Sequence, residues 1–313
     1  MSFEVVRYNP QLKEDWNKTV EKCKNTHFIF YRNFMDYHSD RFTDHSLIFK
    51  SKGEIKALLP ANELSDTLVS HSGLTFGGLL YPEKTTARMI LEITDALIAY
   101  LKATGIKKII YKAIPYIFHT QPSQEDIYAL HLKGAQVSRR DISSCIDLKH
   151  TNGFRRNKKR DLDTFQNQNL KICESSDYDS FVSIVAKGLL KHGVNPVHSA
   201  EELKLLTSRF PNNIKLYVCF DGDEMIAGAL LFINPSIIHV QYLASTDEGK
   251  AVRAAEGLIS YVVDMYKNQN EVRYFNFGIS TENEGKKLND GLIQFKEGFG
   301  AYGVVQDFYS LDI

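Results

Sequence analysis

The stretch that decides the fold is GLIQFKEGFGAYGVVQDFYSLDI, residues 291–313. Its first residues have the apolar spacing of a short helix, Gly298 and Gly300 stop that helix, and the chain then reads as a last strand. One basic residue, Lys296, sits behind an aromatic, Phe295, just before the glycines. The stretch has an earlier counterpart, EDIYALHLKGAQVSRRDISSCIDL at 125–148. Gly134-Ala135 and Asp141 match Gly300-Ala301 and Asp307, each 166 residues further on. A duplication predicts that the segments upstream match as well.

They match in order. In the first half, HSLIFKSKGEIKALLPANEL (45–64) reads as strand, Lys-Gly turn, strand. TLVSHSGLTFGGLLYP (67–82) is a further strand that opens into a glycine-rich loop. Ile90, Ile93, Leu97 and Leu101 then recur at helical spacing, and Gly105 ends that helix. KKIIYKAIP (107–115) is a short strand of buried type. In the second half, IKLYVCFDGDEMIAGALLFI (214–233) is strand, Asp-Gly turn, strand, and IIHVQYLAS (237–245) follows as the next strand. AVRAAEGLISYVVDMYK (251–267) is the long helix, and VRYFNFGIS (272–280) is the buried-type strand.

Antiparallel strands, a helix and a parallel crossover make a mixed, mainly antiparallel sheet with flanking helices, an α/β (α+β) class. The expected organisation is an N-terminal domain over 1–150 and a C-terminal domain over 151–313 that opens with a basic helix. The boundary falls at Thr151-Asn152-Gly153 in LKHTNGFRRNKKRDLDTFQNQNLKI (148–172).

Composition sets limits on partners. The 313 residues suit two domains of ordinary size, and 43% hydrophobic content supports a substantial core in each. Lysine plus arginine balances aspartate plus glutamate at 38 each, so no global field draws the chain to nucleic acid or an anionic membrane. Cys23, Cys145, Cys173 and Cys219 form no CxxC pair, which argues against a zinc knuckle or a disulfide framework and for reduced thiols. The polar start MSFEVVRYNPQLKEDW is not a signal peptide, and no apolar run reaches the roughly 18–20 residues of a membrane span. The expected location is the cytoplasm, with the inner membrane face as a peripheral alternative.

Phe295-Lys296 with Gly298-Phe299-Gly300, the run from Arg155 to Arg160, FIFYRNFMDYHSDRF (28–42) and VSHSGLTFGG (69–78) together resemble the GNAT acyltransferase superfamily. The closer resemblance is to its tandem-domain branch. That branch holds the FemAB-like and BioF2-like acetyltransferases, relatives of the Fem peptidoglycan aminoacyltransferases. The resemblance covers nearly the whole chain, and its weight lies in the order of the segments. It implies two tandem GNAT-like units and an acyl transfer.

The chain departs from an ordinary GNAT domain at one place. That family grips the coenzyme A pyrophosphate on a Q/R-x-x-G-x-G/A loop opening the long helix, where backbone N–H groups and the helix dipole meet the phosphates. Here the loop reads STDEGKAVRAAEGLI (245–259), with Gly249 and Arg253 as partial elements; the first unit has YPEKTTARMI (81–90) there. Fem-type enzymes lack the loop too and take aminoacyl-tRNA.

Acyl transfer to an amine needs an activated donor, a deprotonated amine, charge for the oxyanion and a proton for the leaving group. By resemblance, Phe295 and Lys296 stabilise the reacting centre, and Asn276, a polar residue inside a buried-type strand, must find partners there. Arg155, Arg156, Lys158, Lys159 and Arg160 are five cations in six residues. Of these, Arg155, Arg156, Lys159 and Arg160 can share a helix face suited to a diphosphate. By resemblance, His38 and Arg41 in DYHSDRF line the acceptor side; His71, beside Ser72-Gly73, is the strand histidine that can face the same cleft. His239, Gln241 and Tyr242 lie on the strand that faces the donor in GNAT domains, and alternation puts the first two on one face and Tyr242 on the other. Tyr242, Gly249 and Arg253 are the donor-binding candidates. No general base and no metal-ligand pattern is legible.

The expected function is an N-acyltransferase that moves an acyl group, acetyl in the first instance, from acyl-CoA to an amino sugar of a cell-surface polysaccharide or cell-wall precursor. The acceptor is a small-molecule or lipid-linked amino sugar. Two alternatives stand beside it: a Fem-type aminoacyl-tRNA-dependent enzyme acting on a peptidoglycan precursor, and a non-catalytic nucleotide-sugar-binding relative. Neutral charge and the lack of a long coiled-coil insertion favour acyl-CoA over tRNA.

Overall fold

The structure is a computed structural model that describes residues 2–151, 153–190 and 193–313; Asn152, in the expected linker, lies outside the described residues. The chain forms two compact units. Unit 1 takes the chain up to Asp141 with Asn283–Lys286 and Val305–Ile313, and unit 2 takes Ile142–Glu282 with Lys287–Val304. The division therefore falls inside a strand and not at 150/151, and the last residues of the chain return to the first unit.

Unit 1 runs β1 (Glu4–Arg7), α1 (Lys13–Lys22), α2 (Arg32–Met35), β2 (Thr43–Asp44), β3 (Leu47–Ser51), β4 (Glu54–Leu59), β5 (Asn62–Leu64), β6 (Thr67–Val69), α3 (Ala87–Ala103), β7 (Lys108–Lys112), α4 (Glu125–Leu132) and the first half of β8 (Gln136–Asp147). The predicted Lys-Gly turn joins β3 to β4, with Lys52 at φ 54° and Gly53 at φ 77°, left-handed at both central residues as a tight hairpin of native twist requires. Thr86 caps α3 by accepting from the Met89 N–H. The helix buries Ile90, Ile93, Leu97 and Leu101 against Leu47, Phe49 and Ile109. Because α3 is the crossover, β6 and β7 pair in parallel.

Unit 2 runs from the second half of β8 through α5 (Arg156–Gln166), β9 (Leu170–Ser175), α6 (Tyr178–Leu190), α7 (Ala200–Arg209), β10 (Ile214–Asp221), β11 (Glu224–Asn234), β12 (Ile237–Ser245), α8 (Asp247–Ala251), α9 (Ala254–Tyr266), β13 (Tyr274–Ile279), β14 (Thr281–Glu282), β15 (Lys287–Leu288) and α10 (Asp290–Gly298) into β16 (Tyr302–Asp312). Its strands lie in the order β8-β13-β12-β11-β10-β9. Among its described strand pairs only β12 and β13 are parallel, again across a helical crossover. Leu258, Ile259 and Val262 of α9 pack on Ala227, Ala229, Leu231, Val240 and Phe275. On the other face, α6 presses Phe181 onto Gly228, where a Cβ would sit 2.5 Å from the ring.

The repeat is real in its element order, but the closing strands are assigned differently from the sequence expectation. The second half of β8 pairs with β13 in unit 2, and β16 pairs with β7 in unit 1. Both parallel pairs leave one edge of the later strand unpaired, and either closing strand carries the alternation needed to fill it. The matched glycines do matched work: Gly134 and Gly300 end α4 and α10 at φ 81° and φ 80°.

Candidate active site

The site in unit 2 begins where two strands part. β12 and β13 pair from Ile237–Tyr274 to His239–Asn276 and no further. Just beyond, the β13–β8 ladder shifts register between Asn276 and Ile279, and Gly278 takes φ +75°, a conformation that glycine adopts without Cβ strain. The Gly278 and Ile279 carbonyls accept hydrogen bonds from Lys296 Nζ at 2.9 and 2.6 Å. α10 delivers that lysine: Asn289 caps the helix by accepting from the Leu292 N–H, and Gly300 ends it. Lys296 is 4% exposed, and no carboxylate pairs with it among the described ion pairs. Burial alone pushes its pKa from the ordinary lysine range to about 7.

Asn276 organises the base of the site. Its Nδ2 donates to Ser143 Oγ at 2.8 Å and to the Ser144 carbonyl at 3.3 Å, and its Oδ1 accepts from the Gly278 N–H at 3.0 Å. A carbonyl can only accept and a main-chain N–H can only donate, so the amide orientation is set. Oδ1 therefore faces His239 Nδ1 at 2.7 Å as an acceptor, and Nδ1 carries the proton. Burial holds His239 neutral, with its pKa down at about 4; the Asn276 bond opposes this shift and the nearby Lys296 adds to it.

The second cation of the site was not among the expected contacts. Lys158 of α5 is 5% exposed. It donates to Glu256 at 2.8 Å and Asp161 at 3.1 Å, with its Nζ 4.3 Å from the Phe295 ring centre and 5.2 Å from that of Phe299. Gly298 gives its stem room: a Cβ there would lie 2.7 Å from Lys158 Cγ. The glycine before Phe299 thus serves packing of α5 on α10. Arg155, Arg156, Lys159 and Arg160 are exposed, and Arg155 meets Glu297 at 3.4 Å. The predicted shared cationic face of α5 points to solvent, and the buried member of the run is Lys158.

The donor-side candidates fall in separate roles. A bulge between Leu230 and Leu231 breaks alternation at Gln241. Tyr242 lies opposite Leu230 and His239 opposite Phe232, so both point to the α6 side, while Val240 and Leu243 turn to the α9 core. Tyr242 is therefore on the His239 face, against the simple alternation, and its hydroxyl bonds His198 Nδ1 at 2.9 Å. Gly249 sits in α8, where a Cβ would be 2.2 Å from the Ile226 carbonyl oxygen, so close packing alone demands glycine there. Arg253, at φ 60°, caps the start of α9 and pairs with Asp161 at 3.4 Å and Glu256 at 3.9 Å. A cleft of about 350 Å³ opens beside α8, lined by Lys187, Glu224, Ser245, Thr246, Asp247, Glu248 and Lys250.

Unit 1 stacks two of its three expected residues and keeps the third, Arg41, beside them, its N–H bonded to the His38 carbonyl at 3.0 Å. His38 and His71 are buried with rings stacked 5.5 Å apart, and Arg41 lies over Tyr37. His71 is held at φ 61°, and burial followed by the charges of His38, Lys112 and Arg32 drives its pKa to about 3. Lys112 joins them unforeseen. It donates to the His71 carbonyl at 3.1 Å and to that of Leu74, and burial, then Arg139, lowers its pKa to about 8. Its signal was present in KKIIYKAIP: a lysine at the end of an apolar strand.

The chain has a FemAB-like tandem GNAT fold. It superposes on the crystal structure of FemX with a TM-score of 0.69 over 99% of this chain and 97% of that one, at 9% identity. It also superposes on L-PGS from Bacillus licheniformis, with a TM-score of 0.64 over 97% of this chain and 92% of that one, at 14% identity. A tandem GNAT protein from the clavulanic acid biosynthesis pathway gives 0.55 over 99% and 98%, at 12% identity. No family model and no curated protein matches the chain.

Proposed function

We propose that the protein is an N-acyltransferase that moves an acyl group, acetyl in the simplest case, from an activated donor to an amine. The observation that carries this reading is Lys296: a buried amine with no acid paired to it among the described ion pairs, hydrogen-bonded to the Gly278 and Ile279 carbonyls where β12 and β13 separate. A side chain placed this way suits an anionic transition state better than a structural role, because burying an unpaired lysine otherwise only costs stability.

For the donor we propose an acyl-CoA thioester seated along β12, with Lys187, Ser245 and Lys250 of the α8 cleft meeting its phosphates. A second reading, an aminoacyl-tRNA donor, is favoured by one feature of that cleft. Glu224, Asp247 and Glu248 share it, and carboxylates oppose a diphosphate. The proposed acceptor is the amine of an amino sugar, free or lipid-linked, in a cell-surface polysaccharide or cell-wall precursor. The exposed Arg156, Lys159 and Arg160 are available to its phosphates. No helix among the described residues is long and apolar enough to cross a membrane; we propose a cytoplasmic enzyme.

The test is transfer of a labelled acyl group to amino-sugar acceptors from acetyl-CoA and, separately, from charged tRNA with a ribonuclease control. Acetyl-CoA should also raise the melting temperature, since a ligand of the native state stabilises it by mass action. Ribonuclease-sensitive transfer without any acetyl-CoA shift selects the second donor. Absence of transfer from both, with a nucleotide sugar still bound, makes the chain a binding protein.

A further inference from the structure

An ammonium acceptor must lose a proton before it can attack, and the sequence offered no base. Arg253, paired with Asp161 and Glu256, is a fixed cation here, and three further basic side chains lie in this part of unit 2 among the described residues. Lys158 is committed as a cation: Glu256 and Asp161 both pair with it. His239 keeps its proton on Nδ1 because Asn276 Oδ1 can only accept there, and burial leaves the ring weakly basic. Lys296 remains. An amine has two N–H donors and one lone pair, and Lys296 has two carbonyl acceptors, those of Gly278 and Ile279. That arrangement satisfies both donors of the neutral form and leaves its lone pair without a partner among the described hydrogen bonds.

We propose that Lys296 is the proton acceptor for the attacking amine, working from its neutral form and passing the same proton to the leaving group. This rests on the acyltransferase reading. The acceptor R–NH3+ gives one proton to Lys296 Nζ and becomes R–NH2. Its nitrogen attacks the acyl carbon of the thioester or ester, forming the C–N bond and an oxyanion. The attacking nitrogen loses its extra proton to water. The oxyanion collapses, the C–S or C–O bond breaks, and the leaving sulfur or oxygen takes the proton from Lys296, which returns to the amine. The charged groups around Lys296 agree with this cycle. His239 faces it from β12 and is neutral, Glu297 next to it on α10 is turned to Arg155, and Lys158 on α5 is neutralised by its own acids. Among the described ion pairs no carboxylate stabilises the ammonium form, and burial brings the pKa to about 7, where a base is most effective at neutral pH.

The experiment separates a base from a fixed positive charge. Wild type, Lys296→Arg and Lys296→Met are compared in kcat/KM from pH 5.5 to 9.5 with one donor and one acceptor. Arginine keeps the charge and cannot accept a proton. The expected result is a wild-type acid limb with a midpoint near 7, and a loss of about 100-fold or more in both variants, with that limb gone. A Lys296→Arg enzyme within a few-fold of wild type would overturn the proposal and leave Lys296 as an oxyanion holder. In parallel, 13C NMR of the lysine Cε carbons, with Lys296→Met used to assign the signal, should show a titration midpoint near 7 in the free protein. A midpoint above 9 would also overturn it. Wild-type protein that transfers from no donor would instead sink the acyltransferase reading, while the NMR midpoint still reports the state of the amine.

Discussion

Lys158 Nζ lies 4.3 Å from the centre of the Phe295 ring while it donates to the Glu256 carboxylate at 2.8 Å. The lysine from α5 and the aromatic from α10 are therefore one packed unit, and the nearer of the two acids that neutralise the lysine, Glu256, comes from α9, while Asp161 comes from α5 itself. Removing Lys158 leaves the buried Glu256 with only the looser Arg253 contact at 3.9 Å, and removing Glu256 leaves Lys158 with Asp161 alone. Lys158→Met should cost about 3 kcal/mol in urea unfolding. Lys158→Met with Glu256→Leu should recover most of that loss. A double variant no more stable than the single one would show that the pair is not the source of the cost.

Lys296 gives the opposite sign. Its folded pKa lies near 7, below the lysine value of 10.5, so the folded protein binds fewer protons than the unfolded chain in that window. Stability contributed by this group is fully present above about 10.5 and is lost as pH falls toward 7. Lys296→Met should therefore melt higher than wild type at pH 7, and the gap should close by pH 10. A lower melting temperature for the variant at pH 7 would mean that the two carbonyl bonds outweigh the burial cost.

The stacked histidines of unit 1 set an acid limit. His71 is held neutral, with its pKa down at about 3 against 6.5 when free. Its contribution to stability is complete above about pH 6.5 and falls away as pH drops toward 3. In that window each such histidine adds a slope of about 1.4 kcal/mol per pH unit. His71→Asn, which suits the left-handed backbone, should flatten the melting-temperature profile between pH 4 and 6. An unchanged slope would assign acid lability to the other histidines that burial holds neutral: His38, whose pKa is lowered, and His119 and His239, each near 4.

Gly249 offers a sharp test of packing against donor binding. Its added Cβ would meet a main-chain oxygen, which cannot step aside as a flexible side chain can. Gly249→Ala should lose about 2 kcal/mol of stability. Gly298→Ala, which meets only the Lys158 stem, should lose less. If Gly249→Ala kept full stability and instead raised the donor KM, the glycine would belong to the donor site.

The repeat was legible because hydrophobic periodicity and glycine stops survive divergence, as Gly134 and Gly300 show. The burial of Asn276 was legible because it is a polar residue inside an apolar strand, whereas Lys296 was marked only by its place between Phe295 and the glycines, and nothing in QFKEGFG says that it is buried. Lys158 was hidden inside a run of five cations, since which of them is buried depends on the rotation of α5 against Gly298 and Glu256. The orientation of Tyr242 was hidden by a bulge, a one-residue insertion in register that leaves no mark on the composition of IIHVQYLAS. The exchanged closing strands were hidden because β8 and β16 carry the same pattern, and pattern alone cannot say which strand fills which edge.

The return of Val305–Ile313 to unit 1 has a consequence for synthesis on the ribosome. β7, made by Lys112, waits for partners at Phe308–Asp312, almost two hundred residues later. During translation the first unit therefore has an open strand edge for as long as the second is being made, a site where a chaperone or a neighbouring nascent chain can pair. A nonsense mutation near residue 300 would spare most of the second unit and leave the first without its final strand.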